Sequence, residues 1–535
     1  MARQSLIWTV GIPNLLRAEA LPGAEALPRA EALPRAGLSG GACFSLPCNL
    51  LYPSWRRFAA RSRGQAKACP TIASSITCLT AIFSAPTFLA PVASAALFVV
   101  ALAFSAQAQD LRNVTEPVIP PACAVLTARS AGADDAHPDT QRIQDAIDHC
   151  QTGHAVELKP DGASNAFLSG PLELRAGVTL LVDANATLYG SRNPRDYDIT
   201  PGGCGTVTQA GHGCKPLIAA NHVAHAGVMG DGVIDGRGAA KLTGQNVTWW
   251  DLAQEAKVKN LNQSCPRIMV LTGADDFTLY RITLKNSPNF HVSYSGGNGF
   301  TAWGVIIDTP RAGRNTDGID PGNSTNVTIT HCFINAGDDN VAIKAGHGAP
   351  TTHMTISHNH FYGGHGMSIG SETDGGAGAI RVSDLSIDGA DNGIRIKSNS
   401  SRGGLVHDIV YEDVCMRDTK NPILMDSNYS YSGPARDKFP EFTDITLRNV
   451  RILGAGKITL DGFDAIHKLG ITFDNVTLND AAKMKISGVH AQVTLGPGPV
   501  NFRPQGDDLK VTGEPGKGAP NACASKFITL PVKPE

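Results

Sequence analysis

Asn315-Thr316-Asp317, Gly337-Asp338-Asp339, Gly364-His365-Gly366 and Arg395-Ile396-Lys397 follow one another within one stretch of the chain. The steps from Asp317 to Asp338, from Asp339 to His365 and from His365 to Arg395 are 21, 26 and 30 residues. Strand-like runs separate the groups, so each polar cluster falls about one structural repeat after the last. If each repeat is one coil of a solenoid, the clusters stack on one face, because neighbouring parallel strands lie about 4.8 Å apart. A solvent-facing row of carboxylates, one imidazole and two cations results.

The flanking sequence carries the same beat. Phe277-Thr-Leu with Ile282-Thr-Leu is followed by Phe300-Thr-Ala with Val305-Ile-Ile, Val327-Thr-Ile with Cys332-Phe-Ile, and Met354-Thr-Ile, their starts 23, 27 and 27 residues apart. Leu385-Ser-Ile, Ile409-Val-Tyr, Ile445-Thr-Leu and Ile471-Thr-Phe read as later copies, and Val178–Val182 and Val228–Ile234 as earlier strands. Repeats of this size with two or three short strands each predict an all-β parallel β-helix held by interior stacks of Ile, Val and Leu. A propeller would need longer repeats, and a β-sandwich has no reason for the refrain. Gly296-Gly297-Asn298-Gly299 and Gly375-Gly376 supply the positive φ needed where a coil turns a corner. Ahead of the strands, Ile143, Ala146, Ile147 and Cys150 follow helical spacing, which predicts a short N-terminal helix over Thr140–Gln151 that caps the stack.

Residues 1–108 differ from the rest. Ala18–Arg35 repeats a six-residue Ala-Glu-Ala-Leu-Pro pattern and is assigned no folded role. No charged residue occurs between Lys67 and Asp110, and the uncharged run ends Ala106-Gln107-Ala108, preceded by Arg56, Arg57, Arg61, Arg63 and Lys67. This predicts a secretory signal peptide cut after Ala108 and a mature domain over residues 109–535. A membrane anchor is the rival reading, and Pro86 and Pro91 argue against it. The cysteines fit export: eight of the 12 follow the leader. Cys204 and Cys214 would close a Gly-rich loop, and Cys123 with Cys150 would tie the N-terminal segment to the helix, while bridges and free thiols both remain open for Cys265, Cys332, Cys415 and Cys523. A net charge of −2 offers nothing to nucleic acid or a membrane surface, so a polyanionic partner must be met by locally placed Arg and Lys.

The chemistry rests on Asp317, Asp338 and Asp339 in one cleft. Asp338 and Asp339 are adjacent, and both face it only if a bulge interrupts the strand, which Gly337 makes easy. Solvated turn residues or a calcium site are the plainer readings of such acids. Crowded carboxylates raise one another's proton affinity, so one acts as an acid while another stays ionised as a base, the division that glycosidic hydrolysis needs. His365 between two glycines leaves room for a ligand, whereas His353, His358 and His360 read as structural. No nearby cysteine pair completes a zinc site with these histidines. Arg395 and Lys397 share a strand face and repel unless an anion lies between them, which suggests a clamp for the carboxylates of an acidic polysaccharide. Arg311 and Arg314 would extend that lining, and Tyr429 would reach the same cleft.

Taken together, Asn315-Thr-Asp-Gly-Ile-Asp320, Gly337-Asp-Asp-Asn340, Gly364-His-Gly-Met-Ser-Ile-Gly-Ser371 and Arg395-Ile-Lys397 resemble the polygalacturonases of glycoside hydrolase family 28. With Trp249-Trp-Asp-Leu-Ala253 and Asn286-Ser-Pro-Asn-Phe-His291, the likeness is nearest to the secreted endo-acting bacterial members. The resemblance implies a right-handed β-helix that hydrolyses α-1,4-galacturonosyl linkages of de-esterified pectin, with no metal and no other cofactor. It implies Asp338 as general acid, Asp317 and Asp339 activating the water, and His365 supporting the acid's proton. Arg395 and Lys397 would bind a galacturonate carboxylate, with Asn315 and Tyr429 also lining the substrate; Tyr431 competes for the tyrosine's place. Inversion is implied, which calls for acid and base carboxyls about 6.5–9.5 Å apart. A monomer with polygalacturonate as its partner is expected. The rivals are exo action, a calcium-dependent pectate lyase on the same architecture, and a non-catalytic polysaccharide-binding β-helix.

Overall fold

A computed structural model of the chain describes residues 109–430 and 437–531. The expected leader over residues 1–108 and its cleavage signal lie outside the described residues, as does Tyr431.

Phe277 pairs in register with Phe300, Phe300 with Val327 and Val327 with Met354, all in parallel strands. The column continues through Ile380, Ile409, Ile445, Ile471 and Val493, and every side chain in it is buried. Each turn of chain thus lays an apolar side chain on the one before it, a burial that contributes about 1.5–3 kcal/mol per aliphatic residue. The architecture is a right-handed parallel β-helix.

Two of its ladders share strands. Phe277–Tyr280 and Thr283–Lys285 are separate, whereas Thr351–Tyr362, Ala377–Asp388 and Leu405–Arg417 each run through the corner and serve both ladders. The bend is made by one residue per coil in the left-handed region: Arg281, His331, His358, Asp384, Asp413, Asn449 and Asn475, with φ between 49° and 61°. Asp and Asn tolerate that conformation better than most side chains.

Leu385-Ser-Ile copies the second half of the refrain: it pairs with Asn359–Phe361 and Val414–Met416 on the far side of the corner, in the column of Cys332-Phe-Ile, while Ile380 stands in the column of Phe277. Val228–Ile234 resolves into two strands, Gly227–Met229 and Val233–Asp235, on successive faces.

A third ladder of 11 strands positions the candidate site residues. In chain order its strands are β1 (Leu172–Glu173), β2 (Ile218–Asn221), β3 (Met269–Thr272), β4 (Val292–Ser295), β5 (Ile319–Gly322), β6 (Val341–Ile343), β7 (Met367–Gly370), β8 (Asn392–Lys397), β9 (Asn421–Asp426), β10 (Gly456–Asp461) and β11 (Met484–Val489). Each is hydrogen-bonded in parallel to the next, so chain order is spatial order.

Helix α1 (Thr140–His149) buries Ile143 and Ile147 in the apolar core and lies against the first coils. It ends two residues earlier than the spacing predicts, because Cys150 turns extended to reach Cys123. Helix α2 (Trp249–Lys259) was not anticipated, although its signals are local: Thr248 and Asp251 form a reciprocal capping box, and Asn260 ends the helix in the left-handed region. Disulfides join Cys123–Cys150, Cys204–Cys214 and Cys415–Cys523, the last pinning the C-terminal tail to a ladder strand, while Cys265 and Cys332 are buried free thiols. Among the described residues no helix is long and apolar enough to cross a membrane.

Ile356, fully buried in the Phe277 ladder away from the 11-stranded sheet, tests the stacking. Ile356→Ala is expected to lower unfolding free energy in guanidinium by about 2–5 kcal/mol. Turnover per folded molecule should stay at the wild-type level.

Candidate active site

Four successive strands, β5 to β8, carry the quoted clusters, the first three just before their starts and the fourth inside β8. Asp317 stands two residues before Ile319 of β5, and Asp338 and Asp339 just before β6. His365 precedes β7, and Arg395 and Lys397 lie within β8. Thr316 ties the first two coils, its hydroxyl donating to Gly313 O at 2.6 Å and accepting from Gly337 N at 3.0 Å. A Cβ on Gly337 would lie 2.0 Å from Gly313 O, so only glycine permits this approach. The departure from regular strand lets both adjacent aspartates face the cleft: one oxygen from each of Asp317, Asp338 and Asp339 lies within 4.8 Å of the others.

The three acids have different surroundings. Asp339 is enclosed; Oδ1 accepts from Ser368 Oγ at 2.8 Å and Arg395 Nη1 at 3.0 Å, and Oδ2 from Lys397 Nζ at 2.8 Å. It is the anion that lets two like charges share one strand face. Burial alone would raise its pKa, but Lys397 and Arg395 outweigh burial and hold the carboxylate well below the usual range. Asp317 is also buried, yet its Oδ1 has no hydrogen-bond partner. Burial, then the charges of Asp320 and Asp338, push its pKa well up. Its main-chain oxygen accepts from His291 N at 2.8 Å and His291 Nδ1 at 2.9 Å. Asp338 is the accessible acid, with 26% of its side chain exposed against 1% for Asp339.

His365 donates its backbone N–H to Asp338 O at 3.0 Å. Its Nδ1 faces Asn392 Nδ2 at 2.8 Å, and Nε2 lies 3.9 Å from Asp338 Oδ1. An amide N–H donating to Nδ1 assigns the ring proton to Nε2, on the side of Asp338. Burial lowers the imidazole pKa, which favours this neutral form. Gly366 does not open space for a ligand as its sequence context suggested, since a Cβ there would meet Gly393 O of the next coil at 2.4 Å.

Tyr429 comes to the same place, its ring centroid 5.3 Å from both the Arg395 guanidinium and Lys397 Nζ. Asn315 is in the left-handed region and accepts from Gln263 Nε2 at 3.2 Å. The outer arginines are engaged elsewhere: Arg311 pairs with Asp391, and Arg314 Nη1 donates to Ala253 O and Gln263 Oε1. Sequence reasoning gave no role to Ser368, Asn392, Asp320 or Lys344. Burial pushes Asp320 up to about 7 against the pull of Lys344, whose own pKa is raised because Asp320 and Asp317 outweigh its desolvation. Ser368 and Lys344 each stand at an offset of three to five residues from a quoted acid or histidine, a signal visible only once the strand register is known.

The neighbouring carboxylates thus raise the proton affinity of Asp317 while Asp339 stays ionised.

A sheet face built coil by coil, with an accessible aspartate beside two buried ones and adjacent cations, fits an enzyme that cleaves glycosidic bonds. A profile of the Glycosyl hydrolases family 28 matches residues 150–495. A polygalacturonase of Ralstonia nicotianae is 41% identical, with 78% of this chain and 92% of that protein aligned. An endo-polygalacturonase of Pectobacterium carotovorum is 44% identical over 72% of this chain and 94% of its own length. The solved polygalacturonase of Erwinia carotovora superposes with a TM-score of 0.64 at 39% identity, covering 77% of this chain and 99% of that one. The chain belongs to family 28 of the glycosyl hydrolases and is a glycoside hydrolase.

Asp339→Asn leaves Arg395 and Lys397 buried without their counter-charge, and is expected to cost about 3–5 kcal/mol of stability in denaturant titrations. Asp320 behaves oppositely. Its folded pKa is raised, so its unfavourable ionisation is absent below the unfolded value of 3.8 and grows as pH rises toward the folded value of about 7. Asp320→Asn should therefore melt above wild type at pH 8 and lose that advantage below pH 4; an advantage that is constant with pH would contradict the assignment.

Proposed function

We propose that the protein is a secreted endo-polygalacturonase that hydrolyses α-1,4-galacturonosyl linkages of pectate and de-esterified pectin. What carries the reading is the accessible Asp338 beside the enclosed Asp317–Asp339 pair, with Arg395, Lys397 and Tyr429 on the following coils. Relatives named polygalacturonase and endo-polygalacturonase support the substrate and the internal mode of cleavage.

Asp338 gives its proton to the leaving glycosidic oxygen, and the Nε2–H of His365, turned toward Asp338, steadies the carboxylate that this leaves. Asp339 supplies a permanent negative charge, and Asp317 supplies an oxygen free of protein partners. Together they orient and activate the attacking water. Arg395 and Lys397 turn their remaining donors to a galacturonate carboxylate, with Tyr429 against the sugar and Asn315 at the margin. The reaction inverts the anomeric centre in this reading, which rests on the family; proton NMR of the first-formed anomer decides it.

Secretion follows from the signal-peptide reading and is supported by three disulfides, which persist in oxidising compartments. The enzyme works as a monomer in this reading, without a metal. Arg395 and Lys397 beside Asp339 already provide the positive charge that calcium would bring, which weighs against a lyase.

Residues 109–535 assayed on polygalacturonate with a calcium chelator should generate reducing ends without near-ultraviolet absorbance, and mixed oligomers should appear early. Monomer or dimer alone would mark exo action, and absorbance that returns only with calcium would mark a lyase. Asp338→Asn should lower turnover by about 10²–10⁴-fold while polygalacturonate binding persists. Binding without turnover in the wild type would favour a non-catalytic polysaccharide-binding protein.

A further inference from the structure

Trp249-Trp-Asp-Leu-Ala253 and Asn286-Ser-Pro-Asn-Phe-His291 supply none of the acids or cations of the site, yet hydrogen bonds lead from both to the segment that carries Asp317. His291 immediately precedes β4, and Asp317 stands two residues before β5, the next strand of the ladder. The His291 main chain therefore lies beside that of Asp317, and its N–H donates to Asp317 O at 2.8 Å, an ordinary bond between neighbouring coils. A second donor is particular to this coil. Nδ1 of the His291 ring reaches the same oxygen at 2.9 Å, so both lone pairs of one carbonyl are taken.

The partners of the ring fix its tautomer. A carbonyl only accepts, so Nδ1 carries the proton and Nε2 is the acceptor, filled by the Thr309 hydroxyl at 2.8 Å. That hydroxyl in turn accepts from Ser287 N at 3.3 Å, which leaves its hydrogen for the ring. Helix α2 closes the support: Trp250 Nε1 donates to Ser287 O at 2.9 Å, and Ala253 O accepts from Arg314 Nη1 at 3.2 Å. Ser287, His291 and Thr309 are all fully buried, so solvent does not compete for these bonds. Burial also pushes the imidazole pKa down to about 4, which keeps the ring neutral and this tautomer in place above that pH.

Asp317 is the acid for which such a hold matters. Asp339 is gripped by Ser368, Arg395 and Lys397, whereas Asp317 Oδ1 meets no hydrogen-bond partner, so the aim of that oxygen is set through the main chain. We propose that His291 is a positioning residue for the reaction: its ring, braced by Thr309, clamps the main chain of Asp317 and so holds an otherwise unsupported carboxyl oxygen on the attacking water. The assignment rests on the hydrolase reading above. Its consequence is that a side chain outside the cleft sets the rate of the chemical step without taking part in sugar binding.

The test measures kcat and KM on polygalacturonate for the wild type, His291→Phe, His291→Asn and Thr309→Val. His291→Phe keeps a ring and removes both nitrogens; it should lower kcat by about 10²-fold with KM close to wild type, the split expected when the reacting group is misplaced and ground-state binding is untouched. His291→Asn keeps an N–H donor at the place of Nδ1 and should recover part of that loss, although it fills less space. Wild-type kcat in a folded His291→Phe, or equal losses in the Phe and Asn variants, overturns the assignment, because the ring would then act by packing alone. Should His291→Phe fail to fold, Thr309→Val decides: kcat below wild type at unchanged KM supports the clamp, and unchanged kcat overturns it. A wild type that never cleaves polygalacturonate sinks the hydrolase reading by itself. The crystal structure of Thr309→Val then still decides the clamp, a displaced Asp317 carboxyl supporting it and one in its wild-type place overturning it.

Discussion

Backbone pairing of one coil with the next is the constraint from which everything else follows. Parallel strands about 4.8 Å apart bring equivalent positions of successive repeats into contact, so residues some 25 apart in sequence become neighbours. The same register that stacks Phe277, Phe300, Val327 and Met354 inside the helix lines up Asp317, Asp338, Asp339, His365 and Arg395 outside it. A polymer laid across the coils meets one strand after another, and each coil offers it a separately chosen side chain.

Within that frame the site is organised by how its charges are neutralised. Asp339 meets two cations and stays ionised, whereas Asp317 and Asp320 are buried without enough compensation and take up protons more readily. One cluster therefore holds both a fixed charge and groups able to share a proton. Burial is what separates them: enclosed charges interact strongly with whichever partner is present and carry a penalty where none is. The unsatisfied Oδ1 of Asp317 is the mark of that penalty.

Much of this was legible from residue spacing. The refrain predicted the stacked register, Val178–Val182 proved to be a strand with those limits, and Cys123–Cys150 and Cys204–Cys214 are bridged. Other features were not. Helix α2 escaped because its apolar positions do not repeat clearly, although Thr248 and Asp251 marked its start. That Ala377–Asp388 runs unbroken through two ladders was not visible, because the bend at Asp384 leaves no break in composition. Arg311 and Arg314 looked available in sequence, and their engagement by Asp391, Ala253 and Gln263 depends on loops folding back from other coils.

The sequence by itself determined which coil each functional residue occupies, since repeat length sets register and register sets neighbours along the stack. Only the tertiary structure decided where each side chain points and what answers its charge. That Asp339 lies between Arg395 and Lys397, and that His365 turns Nε2 to Asp338, are outcomes of bulges and of approaches between coils. Electrostatic interactions change steeply with distances of a few ångströms and with burial, and neither quantity is carried by spacing along the chain.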